Sequence, residues 1–228
     1  MEVTLTPDET IYWQFGFIKL NATLVFSWLV MALLVLLSWF ITRDLSTGPR
    51  ISRRQSLLET LVFAIRSQIA EISQATPDRY LPFIGTLYLF IALANLLGVV
   101  PGFEAPTASL SATSALALCV FFAVPSFAIR ERGIRGYLRH FIEPSPIMLP
   151  FQIISDISRT IALSVRLFGN VMSGGLIVGI LISIVPLIVP VAITGLELLI
   201  GQIQAYIFAI LAMVYIAAAA QVTEENDE

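Results

Sequence analysis

The sequence predicts an all-α polytopic membrane protein, with about five membrane helices and an amphipathic helix along one membrane surface. Three observations predict it. Hydrophobic residues make up 57% of the chain and charged residues only 13%, and mean hydropathy is +0.86, a balance foreign to most soluble domains. Several apolar runs reach the roughly 20 residues that a bilayer-crossing helix needs. The basic residues gather into two intervals between those runs.

The elements follow in order, within one membrane domain. Residues 1–21 form an external N-terminus; Glu2, Asp8 and Glu9 with no basic cluster do not match a cleavable signal peptide. The first membrane helix covers 22–41, with Trp28 inside it and Trp39 near its end. Residues 55–76 form the surface helix: apolar positions 57, 58, 61, 62, 65, 69 and 72 repeat with helical period, and polar residues fill the other face. Such a helix lies on the inner membrane surface or packs against other protein. Further membrane helices cover 81–100, stopped by Pro101-Gly102, then 110–129, 150–185 and 189–220. The last two exceed a perpendicular span and must tilt or kink. Pro186 and Pro190 bracket the turn between them, which predicts an antiparallel hairpin. Residues 221–228 form an acidic tail.

Charge fixes the orientation. Arg43, Arg50, Arg53, Arg54, Arg66 and Arg79 precede the second membrane helix, and Arg130, Arg132, Arg135 and Arg139 follow the third. These ten of the thirteen basic residues fall on one side, with only Lys19 opposite and Arg159 and Arg166 within the membrane. The positive-inside rule puts both basic loops and the C-terminal tail in the cytoplasm and the N-terminus outside. The single cysteine, Cys119, excludes an intrachain disulfide and reads as a small buried hydrophobe. His140 reads as a solvated loop residue. One His and one Cys far apart, with no clustered metal ligands, leave no nucleophile–base pair or metal centre for an intramembrane enzyme.

The residue that demands a function is Arg166. A guanidinium within a membrane helix costs roughly 2.5–3.5 kcal/mol on insertion scales and does not escape by deprotonation. At about 100° per residue, Gln152, Ser155, Asp156, Arg159, Arg166, Asn170 and Ser173 share roughly 100° of arc, with Leu163 in the same sector. Such a stripe faces water or a partner, not lipid. On the last helix Glu197 and Gln204 lie seven residues apart on one face, with Gln202 nearby. A fixed cation, a titratable acid and a hydrated polar seam are the parts of an ion pathway. Structural readings stand beside this one. Arg166 neutralises Asp156 or Glu197 within the chain, Asp156 and Arg159 form a structural or channel-mouth pair, and Gln202 is either helix packing or pathway. Gly169, Gly174, Gly175 and Gly179 permit close approach of a neighbouring helix.

Ser164-Val-Arg166-Leu-Phe-Gly-Asn170 resembles the signature of subunit a of F-type ATP synthases. Ile153-Ile-Ser-Asp156-Ile-Ser-Arg159, Gln204-Ala-Tyr-Ile-Phe208 and Val214-Tyr-Ile216 resemble that family's flanking segments; Asn95-Leu-Leu-Gly98 and Pro106-Thr-Ala-Ser109 match more loosely. The similarity covers about residues 55–221. It implies a non-catalytic stator subunit of the Fo sector in a bacterial cell membrane, with neither cofactor nor nucleic acid. Its partners are the c-subunit ring, the b subunits of the peripheral stalk, the F1 sector and the lipid bilayer. By resemblance, Arg166 faces the ring carboxylates and bars leakage between two half-channels. Asn170, Glu197 and Gln204 then line the outer half-channel, and Ser155 and Asp156 the inner, supported by Arg159, Gln152 and Gln202. The chain departs from many relatives in having Gln152 for an acid and Thr160 for proline. Some relatives pair an acid at the place of Gly175 with a histidine at the place of Glu197. The short N-terminus fits a compact bacterial form. The transported ion is H⁺, with Na⁺ open. The competing reading is a secondary transporter that binds an anionic solute at Arg166; it calls for internal repeats, and the sequence has none.

Overall fold

The structure, a computed structural model, describes residues 7–8, 11–15, 18–43, 53–73, 76–100, 102–142, 148–184 and 188–221. The described helices are α1 (Ala22–Thr42), α2 (Arg53–Ile72), α3 (Leu81–Leu97), α4 (Leu110–Ile142), α5 (Met148–Ile184) and α6 (Ile188–Gln221). Four of them, α1, α4, α5 and α6, are long and apolar enough to cross a bilayer, and α3 is a shorter apolar helix. The all-α polytopic membrane fold is therefore as expected. The acidic tail beyond Gln221, the inter-helix turn at 185–187, Arg50, and the side chains of Arg132, Arg135, Arg139 and His140 lie outside the described residues.

The boundaries shift for local reasons. α3 has 17 residues and ends at Leu97, three short of the expected 100. Gly98 and Val99 turn instead, and Gly102 at φ 86° takes a left-handed conformation that favours glycine. α5 begins at Met148, not after Pro150, and α6 at Ile188 with Pro190 as its third residue. A first turn tolerates proline because its N–H groups have no intrahelical acceptor. α4 runs past the expected 129 to Ile142, broken at Gly133, whose φ of 73° interrupts the helix.

The N-terminus holds an element the sequence reading did not anticipate: strands β1 (Ile11–Phe15) and β2 (Ile18–Asn21) pair antiparallel. Next to it, Asp8 binds the ends of two membrane helices. Its carboxylate accepts hydrogen bonds from Thr23 at 2.7 Å, Ser109 at 2.6 Å and Ser111 at 3.0 Å. Burial alone would raise the Asp8 pKa, yet the three hydroxyl donors outweigh it and hold the carboxyl below its ordinary value of 3.8. A depressed folded-state pKa contributes stability above the unfolded value, lost as pH falls through the folded one. Asp8→Ala is therefore expected to lower thermal stability in detergent at neutral pH, and its deficit against the natural protein narrows on acidification below about pH 3.8. A deficit independent of pH would contradict this.

At the arginine-rich end, Arg66 pairs with Asp78 at 2.9 Å and Arg79 with Glu131 at 3.4 Å. The Tyr80 hydroxyl donates to Glu131. Burial, then that carboxylate, push the Tyr80 pKa up to about 12.

The core lies where α3, α4, α5 and α6 meet. Ile84, Leu87 and Ile91 of α3 and Ala117 and Val120 of α4 face Leu163 and Leu167 of α5 and Phe208, Met213 and Ile216 of α6. α6 also buries Ala205, Ala209, Ala212 and Ala217. In lipid the hydrophobic effect does not drive helices together, so these small residues act by letting backbones approach closely. The α2 helix packs one face against the protein, the second of its two expected roles, and leaves the other exposed. Ile69 is buried against the core and Gln68 accepts a hydrogen bond from Tyr206 at 2.5 Å, while Leu57 and Phe63 stay exposed.

Cys119 departs from expectation. It is exposed, because α4 turns Ala117 and Val120 inward and leaves Leu118, Cys119 and Phe122 on the outer face.

Candidate functional site

α5 and α6 pack as an antiparallel pair, as the two prolines predict. Three contacts fix the register. Arg159 stacks its guanidinium 5.3 Å from the Tyr215 ring centroid, Asn170 Nδ2 donates to Gln204 Oε1 at 2.8 Å, and Glu197 lies across Gly174. Residue numbers rise along one helix as they fall along the other.

The Glu197 contact is the tightest. A Cβ added at Gly174 would sit 2.7 Å from Glu197 Cδ and overlap Oε1. Only glycine there admits the carboxylate against the α5 backbone. Glu197 Oε1 and Gln204 Nε2 are buried with no hydrogen-bond partner among the described residues. Buried polar atoms of this kind are normally satisfied, by water where protein offers nothing.

Two cavities flank the hairpin. One, of about 320 Å³, lies toward the N-terminal end of the molecule and is lined by Asn95, Ala105, Asn170, Ser173, Gly174 and Glu197 among others. The other, of about 310 Å³, lies toward the arginine-rich end, with Gln152, Ser155, Asp156, Arg159, Thr160 and Tyr215 in its wall. Arg166 lines neither. It stands on α5 seven residues beyond Arg159 and four before Asn170, about 10 Å and 6 Å along the axis. Its side chain is exposed. No hydrogen bond or ion pair to Arg166 occurs among the described residues, so the expected neutralisation by Asp156 or Glu197 is not made. Ten residues separate Asp156 from Arg166, about 15 Å of helix.

The expected polar stripe therefore divides into groups. Gln152, Ser155, Asp156 and Arg159 come together in one cavity; Asn170, Ser173 and Glu197 come together in the other, with Gln204 joined through Asn170. Asp156 and Arg159 pair at 3.6 Å. Leu163, in the same sector, is buried, so the stripe runs along the border of the core. Gln202 turns away and donates to Ala92 O of α3 at 3.0 Å, which makes it helix packing.

A sequence model of the family described as "ATP synthase A chain" matches residues 24–217. The chain belongs to the ATP synthase A chain family. It is 63% identical over 222 residues to "ATP synthase subunit a 2" of Acaryochloris marina (strain MBIC 11017), covering 97% of this chain and 95% of that protein. It is 60% identical over 214 residues to "ATP synthase subunit a 1" of Crocosphaera subtropica (strain ATCC 51142 / BH68), covering 94% and 93%. It is also 60% identical over 215 residues to "ATP synthase subunit a" of Albidiferax ferrireducens (strain ATCC BAA-621 / DSM 15236 / T118), covering 94% and 93%.

Family membership bears out the resemblance read from Ser164–Asn170. Two participants escaped the sequence reading as site residues. Asn95 donates to Gly201 O at 2.8 Å and accepts from Thr107 at 2.7 Å, fixing α3 to α6 beside the Glu197 cavity. Its signal was available: a lone amide in an otherwise apolar helix. Tyr215, on the wall of the other cavity, appeared only as part of a family segment.

Proposed function

We propose that this chain is the ion-conducting stator subunit in the Fo sector of a bacterial rotary ATP synthase. One observation supports the proposal: two cavities with polar side chains in their walls lie at different levels of the α5–α6 hairpin, with Arg166, which has no hydrogen bond or ion pair among the described residues, between them and in the wall of neither. In this reading the Glu197 cavity is the outer half-channel, with Asn170 and Gln204 ordering its water. The cavity of Ser155 and Asp156 is the inner half-channel, with Gln152 and Arg159 in support. An ion enters one, rides a carboxylate of the c ring around the rotor, and leaves by the other. Arg166 attracts each arriving carboxylate in its ionised form, promotes release of the ion and bars direct passage. Each elementary charge crossing the field carries about 2.3 kcal/mol per 100 mV, and rotation conveys that energy to the F1 sector, where nucleotide chemistry takes place.

The same reading makes 1–228 one membrane domain with the N-terminus outside and the C-terminal tail in the cytoplasm. H⁺ is the transported ion, with Na⁺ the alternative set by the ring site. The anionic-solute transporter is the alternative reading; Arg166 lines neither of the two hairpin cavities. Purification from native membranes separates the two: the chain is expected to copurify with a c ring, the peripheral-stalk b subunits and F1. Isolation as a free, solute-binding carrier would defeat the proposal.

A further inference from the structure

We propose that the groove between α3 and α4 binds an anionic phospholipid, with an acyl chain along Leu118, Cys119 and Phe122 and the headgroup phosphate on Arg130. All four residues line this groove, which has a volume of about 670 Å³. It shares no wall residue with either cavity of the α5–α6 hairpin. Its character changes along its length. Leu118, Cys119 and Phe122 are apolar and exposed. Phe83 and Phe127, ring centroids 6.0 Å apart, also line it and pack against the core. Arg130 is the one charged residue in the wall, and it stands at the end of the membrane-spanning part of α4, Leu110–Glu131. Twelve residues separate Leu118 from Arg130, about 18 Å along the helix. One leaflet's share of the hydrocarbon core is about 15 Å. A chain seated on Leu118 therefore brings its headgroup to the level of Arg130.

The cation is available. The Arg130 side chain is exposed, and no hydrogen bond or ion pair to it occurs among the described residues. The adjacent acid, Glu131, accepts from Arg79 at 3.4 Å and from the Tyr80 hydroxyl. Ser126, also in the wall, spends its hydroxyl on Phe122 O at 2.7 Å. The fork of a guanidinium matches phosphate oxygens. A headgroup with net negative charge neutralises it, whereas a zwitterionic one brings its own ammonium. Basic pockets between membrane helices recognise anionic headgroups in this way. An apolar helix of another subunit would cover Leu118 and Phe122 but leave the guanidinium unanswered.

The test uses the whole ATP synthase in phosphatidylcholine vesicles doped with a photoactivatable lipid, either phosphatidylglycerol or phosphatidylcholine with a diazirine in its acyl chain. Peptide mass spectrometry reads labelling at residues 115–127. Phosphatidylglycerol is expected to label this segment about fivefold more than phosphatidylcholine, the scale of one basic residue meeting an anionic surface. Arg130→Gln is expected to bring the two lipids level. Arg43→Gln removes another exposed cation at the same end, on α1, and is expected to leave the preference unchanged. The inference is overturned if the two lipids label the natural protein equally, if Arg130→Gln keeps the preference, or if Arg43→Gln loses it. Absence of labelling by both lipids also overturns it, since a protein partner would then cover the groove. The comparison on the natural protein decides the matter even where a variant does not assemble.

Discussion

Arg166→Ala is expected to abolish ion-driven ATP synthesis while the chain remains in the assembled complex. The fold has little to lose. The side chain is exposed, it makes no hydrogen bond or ion pair among the described residues, and the core beside it is held by Leu163 and Leu167, both buried. Removing a membrane guanidinium even relieves roughly 2.5–3.5 kcal/mol of insertion cost. In the proposed reading, what disappears is the charge between two cavities whose nearest lining residues on α5, Leu163 and Asn170, stand about 10 Å apart along the axis. Ions then pass without turning the ring, and the drive of about 2.3 kcal/mol per charge and 100 mV is dissipated. Synthesis measured in energised vesicles, with immunoblotting for the chain, checks this. Substantial synthesis by the variant would defeat the assignment.

Glu197→Gln is expected to slow ion conduction by about a hundredfold, the low end of what a positioned proton-transfer group contributes. The substitution keeps shape and removes charge, so the effect reports the acid and not the packing against Gly174. Gly174→Ala makes the complementary change. It keeps the acid but drives a Cβ to within 2.7 Å of Glu197 Cδ, so the carboxylate must leave its seat between α5 and α6. Both variants are expected to impair flux in F1-stripped vesicles with the chain assembled. Unchanged flux with Glu197→Gln would remove Glu197 from the pathway.

The sequence was most informative where membrane physics leaves few choices. Long apolar runs have to be helices, because lipid offers no partner for an open backbone, and α1, α4, α5 and α6 follow those runs closely. Helical spacing along α5 correctly grouped Gln152, Ser155, Asp156 and Arg159. Contacts between helices were not legible. Helical period does not tell that Glu197 would press on Gly174 and not meet Arg166, or that Gln202 would turn to Ala92. Nor does it tell that Asn95 would bind Gly201 from a third helix. Cys119 shows the limit from the other side. An apolar neighbourhood in sequence says nothing about inside or outside when the surroundings are lipid. The Asp8 clamp joins residues about a hundred positions apart and had no periodic signature.

The central claim is that the Arg166 face of α5 lies against the rotor. Disulfide trapping in the assembled complex tests it most directly, in a Cys119→Ser background that removes the exposed native thiol. Ala162→Cys, one turn from Arg166 on the same exposed face, is paired with single cysteines near the ring carboxylate. Leu118→Cys, exposed on α4, is the control. The account predicts efficient crosslinking of the Ala162 variant to the c subunit and none from the control. Absence of any ring crosslink from Ala162→Cys, with lipid-soluble labelling as strong as at Leu118→Cys, would contradict it.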